Sequence, residues 1–202
     1  MIHFGSSCYL CLKGNQAWCI YCMPIPSATL ITRHGVGSIL VSTTDQYLAK
    51  RVILAMKQNR RKDLVKPIAS FIAKSLPTIP SGFILTWIPS TRKNLAARHR
   101  DYLELISKEL GKILHIPVKK VLVNHSQRVD QKLLSSSQRH KNMENAFTVK
   151  SNCSNASVIV LDDIVTTGAT LAAAKAALVN AGFKQIAFVT FTSIPKSDSS
   201  SY

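Results

Sequence analysis

Residues 158–170, VIVLDDIVTTGAT, constrain the fold more than any other part of this sequence. Four apolar residues, 158–161, predict a buried strand, and the two acids after it stand at its carboxyl edge, where open α/β sheets bind their ligands. A loop rich in threonine and glycine then leads into a helix. The first N–H groups of a helix lack intrahelical acceptors and attract anions, and a glycine lets the backbone approach an anion closely. The segment therefore predicts a strand-loop-helix unit with a phosphate site.

The two adjacent carboxylates need a partner of their own, because acids repel a phosphate unless they face another group. Hydroxyl groups and a hydrated divalent cation fit, so the segment predicts a ribose that carries a 5-phosphate. The alternative is an ordinary surface turn in which Asp and Thr only cap the helix, but two of the ten acids stand side by side in a chain that otherwise avoids them. The candidate binding residues are Asp162, Asp163, Thr166, Thr167, Gly168, Ala169 and Thr170.

Strands alternate with helices through the second half of the chain. Apolar runs predict strands at 83–88, 118–123, 158–161 and 185–191, with helices at 102–114 and 171–182. This alternation favours an α/β fold with a parallel sheet flanked by helices. Upstream, the pattern predicts a hairpin within 28–42, a helix that begins at Thr44 or Asp45, and a helix over 64–76. A length of 202 residues allows one full core and a small appendage.

Four cysteines near the N-terminus form two CxxC pairs, Cys8 with Cys11 and Cys19 with Cys22. A CxxC turn presents two sulfurs to one metal, and two such turns complete the tetrahedral shell of zinc. The spacing predicts a structural Zn²⁺ ribbon over residues 1–26. Disulfides and a redox pair are the alternatives, but the chain shows no export signal, and redox motifs use a single CxxC. Cys153 stands alone and is interpreted as a plain small residue.

The chain carries 26 Lys and Arg against 10 Asp and Glu, a net charge of +16. Basic runs are often solvated helix faces. Several runs with few acids repel one another, which favours a bound polyanion, either a phosphate-rich metabolite or nucleic acid. One run lies far in sequence from the phosphate loop and is assigned to DNA: Lys57, Arg60, Arg61, Lys62 and Lys66. Stacking candidates are few (Trp18, Tyr21, Tyr47 and Trp87), which excludes sequence-specific recognition.

No segment has the run of about 18 apolar residues that a membrane span requires, and the N-terminus lacks the pattern of a signal peptide. We therefore expect a soluble cytoplasmic protein without membrane insertion. The expected organisation is a ribbon over 1–26, an α/β domain over 27–192 and a disordered tail over 193–202.

Residues 158–170 resemble the 13-residue signature of type I phosphoribosyltransferases, which binds phosphoribosyl pyrophosphate (PRPP). With the cysteine ribbon, the chain resembles the competence protein F family, in which a zinc ribbon is fused to a phosphoribosyltransferase domain. A second block matches that family in order and spacing: Arg128, Gln131, Leu134, Ser135, Arg139, Asn142, Ala146 and Phe147. The resemblance extends from Cys8 to about Phe191.

The resemblance implies that Asp162 and Asp163 contact the ribose hydroxyls and that 166–170 holds the 5-phosphate. It assigns the loop with Ser90, Thr91, Arg92 and Lys93 to pyrophosphate, accompanied by Mg²⁺. It also implies that 124–145 is a flexible loop that closes over PRPP, with Arg128, Gln131 and Arg139 as further contacts. Closure would exclude water from an oxocarbenium-like carbon.

One segment departs from the family pattern. After the pyrophosphate loop, the usual Arg-Gly-Phe-Asn-Gln is replaced by Arg98, His99, Arg100, Asp101 and Tyr102. Whether catalysis survives that change is left open, and no catalytic residue is assigned.

The resemblance implies a PRPP-binding competence protein that acts in natural transformation, is associated with incoming single-stranded DNA, and has competence or recombination proteins as further partners. The alternative is an active phosphoribosyltransferase that moves ribose 5-phosphate from PRPP to a nitrogenous base. The hairpin over 28–42 could contribute to a base site, but no residue set identifies the base.

Overall fold

A computed structural model describes residues 7–13, 16–19, 21–58, 61–91, 95–96, 101–125, 146–150 and 155–194. Several residues with predicted roles lie outside these ranges: Arg60, Arg92, Lys93, Arg98, His99, Arg100, Arg128, Gln131, Arg139 and Cys153. The tail is described only as far as Ile194.

Within the described part of the chain, the strands are β1 (Thr29–Arg33), β2 (Gly37–Thr43), β3 (Phe83–Trp87), β4 (Leu122–Asn124), β5 (Phe147–Val149), β6 (Ser157–Val165) and β7 (Gln185–Ser193). Five of them form one sheet in the order β1-β2-β7-β6-β3. All neighbours in this sheet are parallel except β1, which pairs antiparallel with β2 as the predicted hairpin. The α/β fold with a mostly parallel sheet is thus confirmed.

The described helices are α1 (Gln46–Gln58), α2 (Val65–Ser75), α3 (Tyr102–Leu114) and α4 (Ala169–Asn180), with a 3-10 turn at Lys62–Leu64. Each predicted helix is present, with bounds shifted by one or two residues where they differ. Asp45 begins α1, because its Oδ1 accepts a hydrogen bond of 3.0 Å from the Leu48 N–H. Among the described helices, none is long and apolar enough to cross a membrane.

The strand predicted over 118–123 is divided in the structure. Val118 makes a single parallel bridge to Leu85 of β3, flanked by hydrogen bonds from Leu85 N–H to Pro117 O and from Lys119 N–H to Leu85 O. The chain then leaves the main sheet, because β4 pairs antiparallel with β5 in a separate two-stranded sheet. The flexible loop was predicted over 124–145, but Asn124 belongs to β4, and residues 126–145 of that prediction lie outside the described residues.

The core lies on both faces of the main sheet, and strand β6 shows why. Ile159 and Leu161 join the cluster beneath α1, α2 and α3, whereas Val158 and Val160 join the cluster beneath α4 and the β4-β5 sheet. Alternate side chains of a strand point to opposite faces, so a continuously apolar run is what a strand covered on both sides requires.

The N-terminal cysteine segment packs onto the first of these clusters. Trp18 is 2% exposed and its ring lies 5.4 Å from the ring of Phe71 on α2 and 5.9 Å from that of Phe191 on β7. Its Nε1 donates a hydrogen bond of 3.1 Å to Cys22 O, which ties the indole to the cysteine turns. The segment is therefore part of the main hydrophobic core.

Candidate functional site

The four N-terminal cysteines converge as their spacing predicts. The Sγ atoms of Cys8, Cys11, Cys19 and Cys22 all lie within 4.8 Å of one another, and none of these cysteines is in a disulfide. Tetrahedral Zn–S bonds of about 2.3 Å place sulfurs about 3.8 Å apart. The Cys11–Cys19 separation of 3.7 Å matches that value. These residues fit a structural zinc ion with a closed thiolate shell.

The thiol pKa values agree with a metal site. Burial disfavours the Cys8 thiolate, but hydrogen bonds from the backbone N–H groups of Cys19, Cys11 and Leu10 outweigh it and lower the pKa of Cys8 to about 6. Burial and hydrogen bonding with the other three cysteines raise the pKa of Cys22 to about 12. The cluster thus presents a thiolate and retains a proton, which a bound divalent cation would displace.

Arg61, assigned to DNA from the sequence, joins the ribbon to the rest of the domain. Its Nε and Nη2 hold the carboxylate of Asp63 at 2.9 and 2.6 Å, and Nη2 also donates to Ser7 O at 3.2 Å. The guanidinium lies 5.7 Å from the centre of the Tyr9 ring, within cation-π range. Most donors of this side chain are therefore already in use inside the protein.

The acidic pair lies in a cavity at the carboxyl ends of β3 and β6. The cavity has a volume of about 170 Å³. Asp162 and Asp163 belong to β6 itself, which continues to Val165 beyond the predicted end at residue 161. Ser90 and Thr91, predicted to bind pyrophosphate, line the same cavity because β3 ends beside β6. The structure thus brings together two groups of predicted site residues that are distant in sequence.

Lys57 also lines this cavity, although the sequence placed it in the DNA-binding run. It projects from the last turn of α1 and forms an ion pair with Asp163. Among the described residues, the lining contains the carboxyl groups of Asp101, Asp162 and Asp163 and the single ammonium of Lys57. Burial and the charge of Asp163 raise the pKa of Asp162 to about 8. At neutral pH the pair therefore offers one protonated and one ionised carboxyl, a donor and an acceptor side by side.

The predicted phosphate loop follows directly and is braced by the β1-β2 hairpin. Arg33 Nε donates to Thr166 O at 2.8 Å, and Thr167 Oγ1 accepts from the Ala169 N–H at 3.3 Å. Gly168 precedes α4 with φ of +86°, and no acid occupies the first turn of that helix. The hairpin thus contacts the phosphate loop, which is a different role from the base site considered for it.

Alanine at Gly168 is expected to be unusually costly. A Cβ atom there would lie 2.8 Å from Arg33 Cβ, and positive φ penalises any L side chain. Gly82 is a matched control, because its φ is +88° but nothing lies within 4 Å of a Cβ. Strain alone should cost Gly82→Ala about 1 kcal/mol, and strain with the clash should cost Gly168→Ala about 2–3 kcal/mol. Urea unfolding of both variants measures the difference, and equal losses would contradict the brace.

Asp101 fixes the loop after β3. Its Oδ2 accepts hydrogen bonds from Trp87 Nε1 at 3.2 Å and from the Ser90 N–H at 3.0 Å, and the residue is 8% exposed. Asn124 Nδ2 donates to Pro89 O at 2.8 Å from the other side. The segment that departs from the family pattern thus supplies the side chain that positions Ser90.

Asp101→Ala is expected to destabilise the protein by about 2–3 kcal/mol, because the buried indole N–H of Trp87 and the partly buried N–H of Ser90 lose their acceptor. Glu104→Ala on the same helix is the control, since Glu104 only pairs with exposed Lys108 and such pairs contribute about 0.5 kcal/mol or less. Chemical denaturation of the two variants tests this. Similar losses would mean that the bonds to Asp101 contribute no more than a surface pair.

A comparison with protein families finds a match around this site. Residues 103–200 match the family model of the phosphoribosyl transferase domain. The fold is type I phosphoribosyltransferase-like. The match begins in α3 and includes the acidic pair and the phosphate loop of this phosphoribosyltransferase-like domain, whereas the four-cysteine cluster lies outside it.

Solved phosphoribosyltransferase structures are also similar to this chain. Adenine phosphoribosyltransferase from Trypanosoma brucei, in complex with AMP, pyrophosphate and ribose-5-phosphate, is 14% identical, with a TM-score of 0.45 over 83% of this chain and 87% of that one. Adenine phosphoribosyltransferase from Leishmania donovani is 11% identical, with a TM-score of 0.44 over 86% of this chain and 93% of that one. UMP synthase from Leishmania donovani is 16% identical, with a TM-score of 0.42 over 72% of this chain and 24% of that one.

The chain spans about a quarter of the first solved structures that it matches, UMP synthase and an allosteric regulatory enzyme of purine biosynthesis. A comparison with curated proteins gives no match.

Sequence reasoning missed two residues of this site. Asp101 is an acid in an acid-poor chain, directly before a predicted helix, and that position could have indicated a structural role. The contact of Lys57 with Asp163 joins α1 to β6, residues far apart in the chain, and no local pattern signals it. Lys62 and Lys66, also assigned to DNA, lie elsewhere, along a groove between α2 and α3.

Proposed function

We propose that this chain binds PRPP together with Mg²⁺ in the cavity at the ends of β3 and β6. The observation that carries this proposal is the convergence in one cavity of the acidic pair with the Ser90 loop. The phosphate loop and the start of α4 come directly after the acids in the chain. A ribose with a phosphate at one end and a pyrophosphate at the other needs those three kinds of group.

Each part of the ligand has a counterpart. Asp162 and Asp163 can exchange hydrogen bonds with the two ribose hydroxyls, since one carboxyl donates and the other accepts at neutral pH. The N-terminus of α4 and the hydroxyls of Thr166, Thr167 and Thr170 suit the 5-phosphate. The backbone N–H groups and hydroxyls of the Ser90–Thr91 loop suit the pyrophosphate.

Charge explains the role of magnesium. The described lining of the cavity has three carboxyl groups, of which Asp162 is protonated at neutral pH, and one ammonium, so a pyrophosphate would add negative charge to a site in which carboxylates already outnumber cations. A divalent cation bound to the pyrophosphate would offset that repulsion. Hydroxyls or the cation would also compete with Lys57 for Asp163, so we expect ligand binding to break that ion pair.

Titration calorimetry of wild-type protein with PRPP tests the proposal. We expect saturable binding with Mg²⁺ and at least about tenfold weaker binding without it. Magnesium should be omitted and not chelated, because a chelator would also remove zinc from the cysteine cluster. Absence of saturable binding with Mg²⁺ would refute the proposed function.

An active phosphoribosyltransferase is the second candidate. It is favoured by the rigid positioning of the Ser90 loop through Asp101, because catalysis requires the leaving group to be held in place. A turnover assay of PRPP against a panel of nitrogenous bases, with and without single-stranded DNA, distinguishes catalysis from binding alone. Pyrophosphate release that depends on one base would identify the acceptor.

We further propose, from the resemblance to the competence protein F family, that the chain acts in natural transformation beside incoming single-stranded DNA. The net charge of +16 supports this. Trp18 and Trp87 are buried, so of the stacking candidates only Tyr21 and Tyr47 are exposed. DNA binding should therefore be mainly electrostatic, with a log-log salt slope of about −0.7 for each phosphate contacted. A flat salt response would contradict it.

A further inference from the structure

A groove between α2 and α3 is separate from the PRPP site. Its volume is about 950 Å³, and none of its lining residues lines the cavity that contains Asp162. One wall is formed by the 3-10 turn and the start of α2, and the other by the second half of α3 and residues 115–118. The proposed PRPP site gives this groove no role.

The floor of the groove is apolar and fixed in shape. Val65, Leu105, Ile116 and Val118 contribute to it. The 116–118 segment crosses α3 closely at Gly111, where a Cβ atom would lie 2.2 Å from Val118 Cγ2. Hydrogen bonds with Leu85 of β3 hold the segment on both sides of Val118. A ligand would therefore meet a surface that needs no rearrangement before binding.

The rim of the groove is basic. Lys62, Lys66, Lys108, Lys112 and His115 surround the floor. The two acids of the groove are neutralised, because Arg61 binds Asp63 and Lys112 binds Glu109. Lys108 pairs with Glu104. Among the described residues, no carboxylate forms an ion pair with Lys62 or Lys66, so these two ammonium groups are available to a ligand.

We propose that this groove binds an acidic peptide segment of a partner protein that also carries apolar side chains. Apolar anchors would fill the floor, and carboxylates would meet Lys62 and Lys66. Asp63 and Glu109 can accept hydrogen bonds from peptide N–H groups, which a phosphodiester backbone does not offer. Single-stranded nucleic acid suits the groove less well, because its described lining contains no Phe, Tyr or Trp on which bases could stack.

Fluorescence anisotropy with a labelled amphipathic peptide of about 15 residues, in which glutamates border a face of leucines, tests the proposal. We expect saturable binding that is at least about tenfold weaker when serine replaces leucine, because the floor then gains no apolar contact. Lys62→Glu with Lys66→Glu should weaken binding by at least about tenfold. Lys74→Glu with Lys184→Glu, exposed residues outside the groove with the same change in charge, should leave it within about twofold.

Thermal unfolding checks that both double variants fold. Equal affinity of the leucine and serine peptides, or equal effects of the two double variants, would show that the peptide binds through nonspecific attraction to the net positive charge. Either result would overturn the proposal. Direct binding of a labelled oligothymidylate of similar length that is lost in Lys62→Glu with Lys66→Glu, together with no saturable binding of the leucine peptide, would assign the groove to nucleic acid instead. The assay contains no PRPP, so its outcome is independent of the proposed PRPP site.

Discussion

Replacement of Asp162 and Asp163 by Asn together is expected to abolish measurable PRPP binding while the fold stays intact. A hydrogen bond to the Asp163 carboxylate contributes about 1.5–3 kcal/mol and one to the protonated Asp162 carboxyl about 0.5–1.5 kcal/mol, so the two losses together should cost at least about 2 kcal/mol, or about thirtyfold or more in Kd. Titration calorimetry with PRPP and Mg²⁺ measures the effect. Asn keeps the size of Asp, so the cavity shape should be retained.

Asp162→Asn should weaken PRPP binding but should increase the free energy of unfolding near pH 8 relative to wild type. The folded-state pKa of Asp162 is raised to about 8 by burial and by the charge of Asp163, above its unfolded value of about 3.9. The folded protein therefore binds more protons than the unfolded chain between those values, and this group makes stability fall as the pH rises from about 4 to about 8. Asp162→Asn cannot ionise, so its stability should fall less over that interval.

Urea unfolding at about pH 5 and about pH 8 compares wild type with Asp162→Asn. Glu104→Gln is a useful control, since that carboxylate lies outside the cavity and pairs with Lys108 at the surface. Unchanged PRPP affinity in the double Asn variant would show that the acids do not contact the ligand. If the double Asn variant loses PRPP affinity, its urea unfolding curve shows whether the protein is still folded or whether the loss results from unfolding.

Removal of one zinc ligand should destabilise the whole domain and not only the ribbon. A structural zinc ion contributes folding free energy directly, so release of the metal should unfold the ribbon that the four thiolates hold together. Cys8→Ser should release the metal and detach Trp18 from Phe71 and Phe191. Loss of a buried tryptophan costs about 4 kcal/mol, which for a chain of this length corresponds to a fall in Tm of about 10 °C.

Elemental analysis and thermal unfolding test this on protein purified without added metal. We expect one zinc per wild-type chain and none in Cys8→Ser. Cys153→Ser is the control, because that cysteine lies outside the cluster in sequence and should leave both metal content and Tm unchanged. Metal-free wild-type protein with the cysteines oxidised to disulfides would overturn the zinc site.

Local patterns in the sequence predicted the elements of this fold well. A continuously apolar run indicated a strand covered on both faces, and helical spacing located α2 and α3 within one or two residues. Residues 118–123 were harder, because a short apolar run pairs with whichever strand lies beside it. Here Val118 pairs with Leu85 of β3, whereas 122–124 pair with β5. Which strand lies beside each residue depends on the path of the whole chain.

Basic residues show the limit of reasoning from composition. Lys57, Arg61, Lys62 and Lys66 form one run in the sequence, but the structure gives them three different surroundings. Lys57 faces Asp163, Arg61 holds Asp63 beside the ribbon, and Lys62 and Lys66 border the groove. A run of basic residues shows only that positive side chains are close along the chain. The group that each side chain contacts depends on the direction in which it projects from its helix.

Local spacing was enough to predict the four-cysteine cluster and the strand-loop-helix unit with the acidic pair, because each depends on residues within about 15 positions of one another, where spacing fixes geometry. The folded chain was needed to show that Trp18 anchors the ribbon in the core, that Asp101 positions Ser90, and that Lys57 reaches the acids. These contacts join elements far apart in the chain. They arise because packing both faces of one sheet brings distant elements together, a condition that no local spacing encodes.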